Sequence, residues 1–263
     1  SERDAQNMGR PRGVYVTLTC PQTMSIALET RRALAHELAA TLADMLPKAR
    51  KSVLVVGLGN RNVTPDSLGP RTAERVLVTR HMAGCLPEDV LRDMASVSAA
   101  SPGVLGVTGM ETAEILRGMV AHVQPDAVIA IDALAARSSS RIASTIQIAD
   151  TGITPGSGVG NHQKALDERT LGVPVIAVGV PLVVYASTIA SDALCALGDG
   201  EMEEERIAAC VEQVVSERLG EMVVTPREVD ALVERMAGVL ADGINQALQP
   251  ALTGAEIAQM MAQ

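Results

Sequence analysis

The chain has 263 residues, a formal net charge of −9 and 47% apolar residues, the profile of a folded globular protein rather than a disordered one. It contains no Phe, no Trp and only two tyrosines, Tyr15 and Tyr185, so it lacks the aromatic platforms on which nucleic-acid bases stack and the aromatic belts of membrane proteins. The acidic balance repels phosphate backbones, and no apolar run reaches the roughly 18–20 residues of a membrane span, so neither nucleic acid nor membrane is expected as a direct partner.

The four cysteines, at 20, 85, 195 and 210, show no C-x-x-C spacing and no Cys/His cluster. Buried free thiols in a reducing compartment are expected, with no metal and no cofactor. No signal peptide opens the chain, which fits a cytoplasmic protein.

In chain order, residues 1–13 are polar and are expected to be disordered, and 14–263 to form a single α/β catalytic domain. Val14–Leu18 predicts a short strand. Met24–Leu46 predicts a helix, with Leu34, Leu38, Leu42 and Leu46 along one stripe and Pro47 closing it. Ser52–Leu58 is a continuous apolar run, as in a strand buried on both faces. Thr64-Pro65 then reads as an N-cap and a first helical position, opening a helix to about Val76.

Ser101–Gly109 is a Gly-rich loop, followed by a helix over Thr112–Val123 that Pro125 ends. Ala127–Ile131 is a second buried strand, ending at Asp132. Ser144–Ile148 alternates as a third, Thr154–Asn161 is a flexible loop, and Val173–Val180 is another buried strand. Glu201–Glu205 opens a helix to about Leu219. Thr225-Pro226-Arg227-Glu228 has the capping-box pattern and starts a helix to about Leu248, with Val229, Leu232, Val233, Met236, Leu240 and Ile244 on its buried face. Buried strands alternating with helices predict a three-layer αβα fold with a mostly parallel sheet.

Ligand sites in such folds form at the carboxyl ends of the strands. After the first buried strand, Gly57-Leu58-Gly59 suggests a dinucleotide turn, but Asn62 stands where the third glycine belongs and no Walker lysine follows. Asp66 lies just beyond, where an acid complements a helix N-terminus. Asp132 ends its strand and needs solvent, a substrate or a charge partner, for which Arg137 is a candidate. Predicted at the same edge of one sheet, Asp66 and Asp132 form a pair that cannot both ionise easily, so one keeps its proton. An acid and a base in one site can activate water against an amide carbonyl. Glu111 reads as a first-turn helix acid with a supporting role open to it; His81 reads as structural and His162 as loop surface. Ser138 and Ser157 lack a nucleophile elbow.

Seven segments make the chain resemble the germination protease family of spore-forming bacteria. They are VLVVGLGNRNVTPDSLGP (53–70), VTRH (78–81), SPGVLGVTGMET (101–112), AVIAIDALAARS (127–138), STIQIADTGITPGSGVGN (144–161), LGVPVIAVGVP (171–181) and MVVTPREVDALVERMAGVLADGINQAL (222–248). The resemblance implies an atypical aspartic endopeptidase that degrades small acid-soluble spore proteins during germination, inside the spore core. It places the essential acids on Asp66 and Asp132. Beside them, Glu111, Arg137, His162 and Asn60 are the candidates for supporting or substrate-binding positions. It further implies synthesis as a zymogen and assembly as a homotetramer. The chain begins just before the family's YVTL segment (Tyr15–Leu18), without the upstream pro-region; 195–222 is shorter than in typical members, and Tyr185 stands where an Asp is common.

A more distant likeness runs to the hydrogenase maturation endopeptidases, which use a nickel-recognising acid at the position of Asp66. Their second acid falls near Val104, which cannot bind metal, and His162 falls near the third ligand, so the ligand set is incomplete and no metal is expected. The alternatives to the two-aspartate enzyme are a metal-dependent endopeptidase using Asp66 with His162 or Glu111, and a catalytically silent protein that binds spore proteins.

Overall fold

The structure, a computed structural model, describes residues 11–20, 27–48, 51–84, 94–156, 164–197, 207, 209, 211 and 222–262. The strands are β1 (Tyr15–Thr19), β2 (Ser52–Gly57), β3 (Ser96–Ala100), β4 (Ala127–Ala136), β5 (Thr145–Ala149), β6 (Val175–Tyr185) and β7 (Val223–Val224). The helices used below are α1 (Leu28–Met45), α2 (Leu68–Ala73), α3 (Leu105–Thr108), α4 (Thr112–Val123), α5 (Glu168–Leu171), α6 (Ala186–Leu197), α7 (Val229–Leu248) and α8 (Gly254–Met261). The sheet runs β1-β5-β6-β4-β2-β3, with β7 on the outer part of β6. The four strands β6, β4, β2 and β3 are parallel, while β1, β5 and β7 join antiparallel.

Two cores flank the sheet, as the continuous apolar runs predict. Odd-numbered residues of β2 and β4 (Val53, Val55, Ile129, Ile131) face α1 and α7. Even-numbered ones (Leu54, Val56, Val128, Ala130) face α4 and the segment around α5. With no Phe or Trp to fill volume, the layers close up on small residues. A Cβ on Gly243 of α7 would stand 2.8 Å from the Leu38 side chain and 2.9 Å from the Ala35 carbonyl of α1, so glycine sets how closely those helices pack.

Several expected boundaries shift. β4 and β6 extend well past their apolar runs, so Asp132 lies inside a strand rather than at its end. The expected helix after Thr64 is a 3-10 turn, Thr64–Asp66, followed by the short α2; Thr64 makes no side-chain cap. The capping box expected at Thr225 does not form, and α7 starts at Val229 without a side-chain cap. A capping box forms instead at Thr253 and Glu256, opening α8. β3 and α6 have no counterpart in the sequence expectations. The expected helix over 201–219 lies largely outside the described residues, as do residues 1–10 of the expected disordered segment. Pro11 is held, its carbonyl accepting from the Tyr15 hydroxyl at 2.7 Å. Cys20 is buried, but Cys195 is exposed on α6, against expectation; Cys85 and Cys210 lie outside the described residues.

Two buried amides, Asn245 in the last turn of α7 and Gln249 at its C-terminal cap, tie the end of the helix to the segments after α2 and before β3. Asn245 accepts from the Leu77 N–H at 2.8 Å and donates to the Arg75 carbonyl at 3.0 Å. Gln249 accepts from the Ala95 N–H and donates to the Ala95 carbonyl. Asn245→Ala leaves a buried N–H and carbonyl without partners and is expected to destabilise the fold by about 1–3 kcal/mol, read from urea denaturation at unchanged slope.

Candidate active site

β2 ends at Gly57, and the Leu58 N–H makes its last bond to β4, donating to the Ile131 carbonyl at 2.8 Å. The chain then folds back on itself through glycines. Gly59 has φ of +109°, and a Cβ there would lie 2.1 Å from the Asp66 carbonyl oxygen and 2.9 Å from its carboxylate. A Cβ on Gly57 would lie 2.2 Å from the Gly69 carbonyl, and one on Gly69 would lie 2.3 Å from that of Leu58. The glycines that resemble a dinucleotide turn therefore serve another purpose. They let the 64–69 segment close on the end of β2 and set Asp66 beside it. The Asn60 N–H donates to Asp66 Oδ2 at 2.6 Å and fixes the carboxylate.

Asp132 lies on the neighbouring strand, as expected of the pair, and its side chain points to the α4 face of the sheet. It is 6% exposed. Its Oδ1 accepts from the Ala133 N–H at 2.9 Å. Across β4–β6 its partner in register is Gly179, and beyond that, on β5, Gln147. Burial and, second to it, the negative charge of Asp66 push the Asp132 carboxyl up to about 7. Burial also raises Asp66, opposed by the Asn60 N–H. The two acids are thus electrostatically coupled, with the proton favoured on Asp132.

Both acids line one cleft of about 590 Å³. Its walls include Val63 and Pro65 from the Asp66 turn, Gly103 and Val104 after β3, and Thr154–Gly156; its floor is the outer part of β4 with Gln147. Leu134 lies over Gly179, where a Cβ would be 2.4 Å from its Cδ1.

The other sequence candidates divide. Arg137 lines the cleft but is exposed and makes no ion pair with Asp132, so that expected pairing is corrected: β4 runs on to Ala136 and carries Arg137 past the acid. Asn60 acts through its backbone, while its side chain accepts from the Asn62 N–H at 3.0 Å. Glu111 occupies the cap position of α4 without capping it, and its Oε2 is buried with no hydrogen-bond partner among the described residues, next to Thr112 of the cleft wall. His81 is exposed in a 3-10 turn, Arg80–Met82. His162 lies outside the described residues. Among the described residues, no three His, Cys, Asp or Glu side chains are grouped to hold a metal ion. Sequence reasoning missed Leu134, Arg141 and Gln147; a polar residue inside the alternating STIQI strand was the available signal for Gln147.

The raised Asp132 has a consequence for stability. Its folded pKa exceeds the unfolded value of about 3.9, so its contribution is fully present below that value and is lost as pH rises through about 7. Asp132→Asn keeps the acceptor for Ala133 but carries no charge. The variant's melting temperature is expected to gain on the wild type as pH rises from about 4 to about 7 and to keep that gain above it, read by thermal melts across that range.

Comparison with known proteins places the chain. The sequence profile described as germination protease matches residues 1–199. A germination protease from Caldanaerobacter subterraneus is 45% identical, with 99% of this chain and 86% of the relative covered. One from Clostridium acetobutylicum is 42% identical over 98% of this chain and 85% of its own. One from Bacillus mycoides is 40% identical over 93% and 80%. A solved NiFe hydrogenase maturation protease from Thermococcus kodakarensis is similar with a TM-score of 0.37 and 21% identity, covering 76% of this chain and 98% of that one. The chain belongs to the germination protease family and is an endopeptidase.

Proposed function

We propose that the chain initiates degradation of small acid-soluble spore proteins in the germinating spore, using Asp66 and Asp132 to activate water. The observation that carries this reading is the coupling of the two carboxyls in one cleft, with Asp132 raised by burial and by the charge of Asp66. A carboxylate and a carboxylic acid coexist there near neutral pH. Asp66, oriented by the Asn60 N–H, takes a proton from the attacking water. Asp132, protonated, donates to the carbonyl oxygen as the tetrahedral intermediate forms, and a proton then reaches the leaving nitrogen. Arg137 and Arg141 add positive charge in the cleft for substrate contact, and Glu111 supports the wall at Thr112. Residues 14–263 act as one catalytic unit. Zymogen synthesis, a homotetramer and the spore-core location enter this reading from the family resemblance alone.

Digestion of a purified small acid-soluble spore protein tests it. Cleavage is expected to survive chelator and to fall about 10²–10⁴-fold in both Asp66→Asn and Asp132→Asn, with melts confirming that both variants fold. Chelator-sensitive cleavage would move the chemistry to a metal, and binding without new termini would make the chain a silent binder.

The pH dependence is expected to be bell-shaped. Activity falls on the alkaline side as the pair loses its shared proton near the value of Asp132, about 7. It falls on the acid side as Asp66 is protonated, at a pH above the ordinary aspartate value because burial raises it. A kcat/KM profile that stays flat across this range would exclude the pair as the catalytic acid and base.

A further inference from the structure

β2 accompanies β4 only as far as the Gly57–Ile131 pair, and the Leu58 N–H bond to Ile131 is the last between them. β4 continues to Ala136 with β6 alone beside it, from Ala133 opposite Val180 to Ala136 opposite Val184. From the residue after Asp132 onward, one edge of β4 is therefore open, and it opens into the cleft: Ala133, Leu134 and Ala135 all line it.

The alternation of the strand decides which groups face that gap. Val128 donates to Pro174 at the base of β6, so even-numbered residues of β4 turn their backbone groups toward β6. The carbonyl of Ile131 accepts from Leu58, so odd-numbered residues turn theirs toward β2. The register shift between Leu134 and Ala135 skips Leu182 of β6, which leaves β4 itself regular. Ala133 and Ala135 thus present their backbones to the gap. The Ala133 N–H is taken by Asp132. By the same alternation the Ala133 carbonyl and the N–H and carbonyl of Ala135 point away from β6, to the side that β2 no longer occupies.

Exposed strand edges are ordinarily blunted by charge, proline or a covering element. This one carries methyl side chains that leave the backbone accessible, and it faces a wall of Val63, Pro65, Gly103 and Val104 across the cleft. We propose that the open edge of β4 at Ala133–Ala135 binds the substrate main chain as an added strand, in line with β2, and thereby delivers the scissile amide to Asp66 and Asp132. The ligand is an extended, unfolded polypeptide segment, recognised through its own backbone N–H and carbonyl groups at alternate positions on one side of the cut. Its alternate side chains fall over Leu134 and toward Gln147. Folded proteins are excluded because their backbone groups are already paired.

This inference rests on the peptidase reading, and one experiment separates the two. A synthetic peptide spanning a bond cleaved in a small acid-soluble spore protein is prepared unmodified and with single N-methyl groups walked through the residues on each side. Cleavage of the unmodified peptide by the intact chain is the test of the peptidase reading. Strand docking predicts a period of two on one side of the bond: KM rises about tenfold where the methyl removes a docked N–H, and stays near that of the parent at the position between. Ala135→Pro removes the edge N–H without touching the β6 ladder and is expected to raise KM on the unmodified peptide by a similar factor, with kcat kept. If the unmodified peptide is cut but N-methylation shows no alternation, strand docking is wrong and the peptidase reading stands. If no peptide is cut, both fall. The N-methyl series needs no variant, so it decides the matter even if Ala135→Pro folds poorly.

Discussion

The site depends on a backbone contact that only glycine permits. At the end of β2 the chain must turn back within a few residues and still lie against the strand it has left. Gly57 and Gly69 give each other room that a Cβ would fill, and Gly59 does the same for Asp66. With these contacts the Asp66 turn rests on the end of the sheet, and its carboxylate meets the Asn60 N–H and the field of Asp132. Without them, the segment carrying Asp66 would stand off by a side chain's width, and the electrostatic coupling that raises Asp132 would weaken with distance.

The two acids are held by different means. Asp132 sits within β4, between β2 and β6, so the sheet fixes its position and burial fixes its protonation. Asp66 sits on a turn, and its position is set by local hydrogen bonds and by the glycine contacts. Around them, a core of Ala, Val, Leu, Ile and Met keeps the layers close, and buried polar side chains at the end of α7 satisfy the backbone of the segments after α2 and before β3.

Much of this was legible in the chain. The runs at 52–58, 127–131 and 173–180 betray strands buried on both faces because nothing polar interrupts them. The adjacency of Asp66 and Asp132 followed from placing both after such runs. The lengths of β4 and β6 did not follow, because Asp132 breaks the apolar run although the strand continues, and Pro181 looks like a terminator although it lies at the bulge of β6. β3, with serines alternating into it, and α6, with no buried residue, lack the pattern that marks a core element. The two capping-box patterns look alike, and only the one at Thr253 closes both hydrogen bonds. Gln147 and the open edge of β4 are properties of pairing between distant segments, which spacing along one chain does not reveal.

The helix that backs the Asp66 turn and α2 is α7, which lies far along the sequence from both acids. Both acids leave the ribosome long before it does. A nascent chain that has made β2, β4 and β6 still has one face of its sheet uncovered and no support beneath the turn bearing Asp66. Order of synthesis thus leaves the turn bearing Asp66 unbacked until α7 has been made, so the placement of the first acid waits on a segment far beyond either of them.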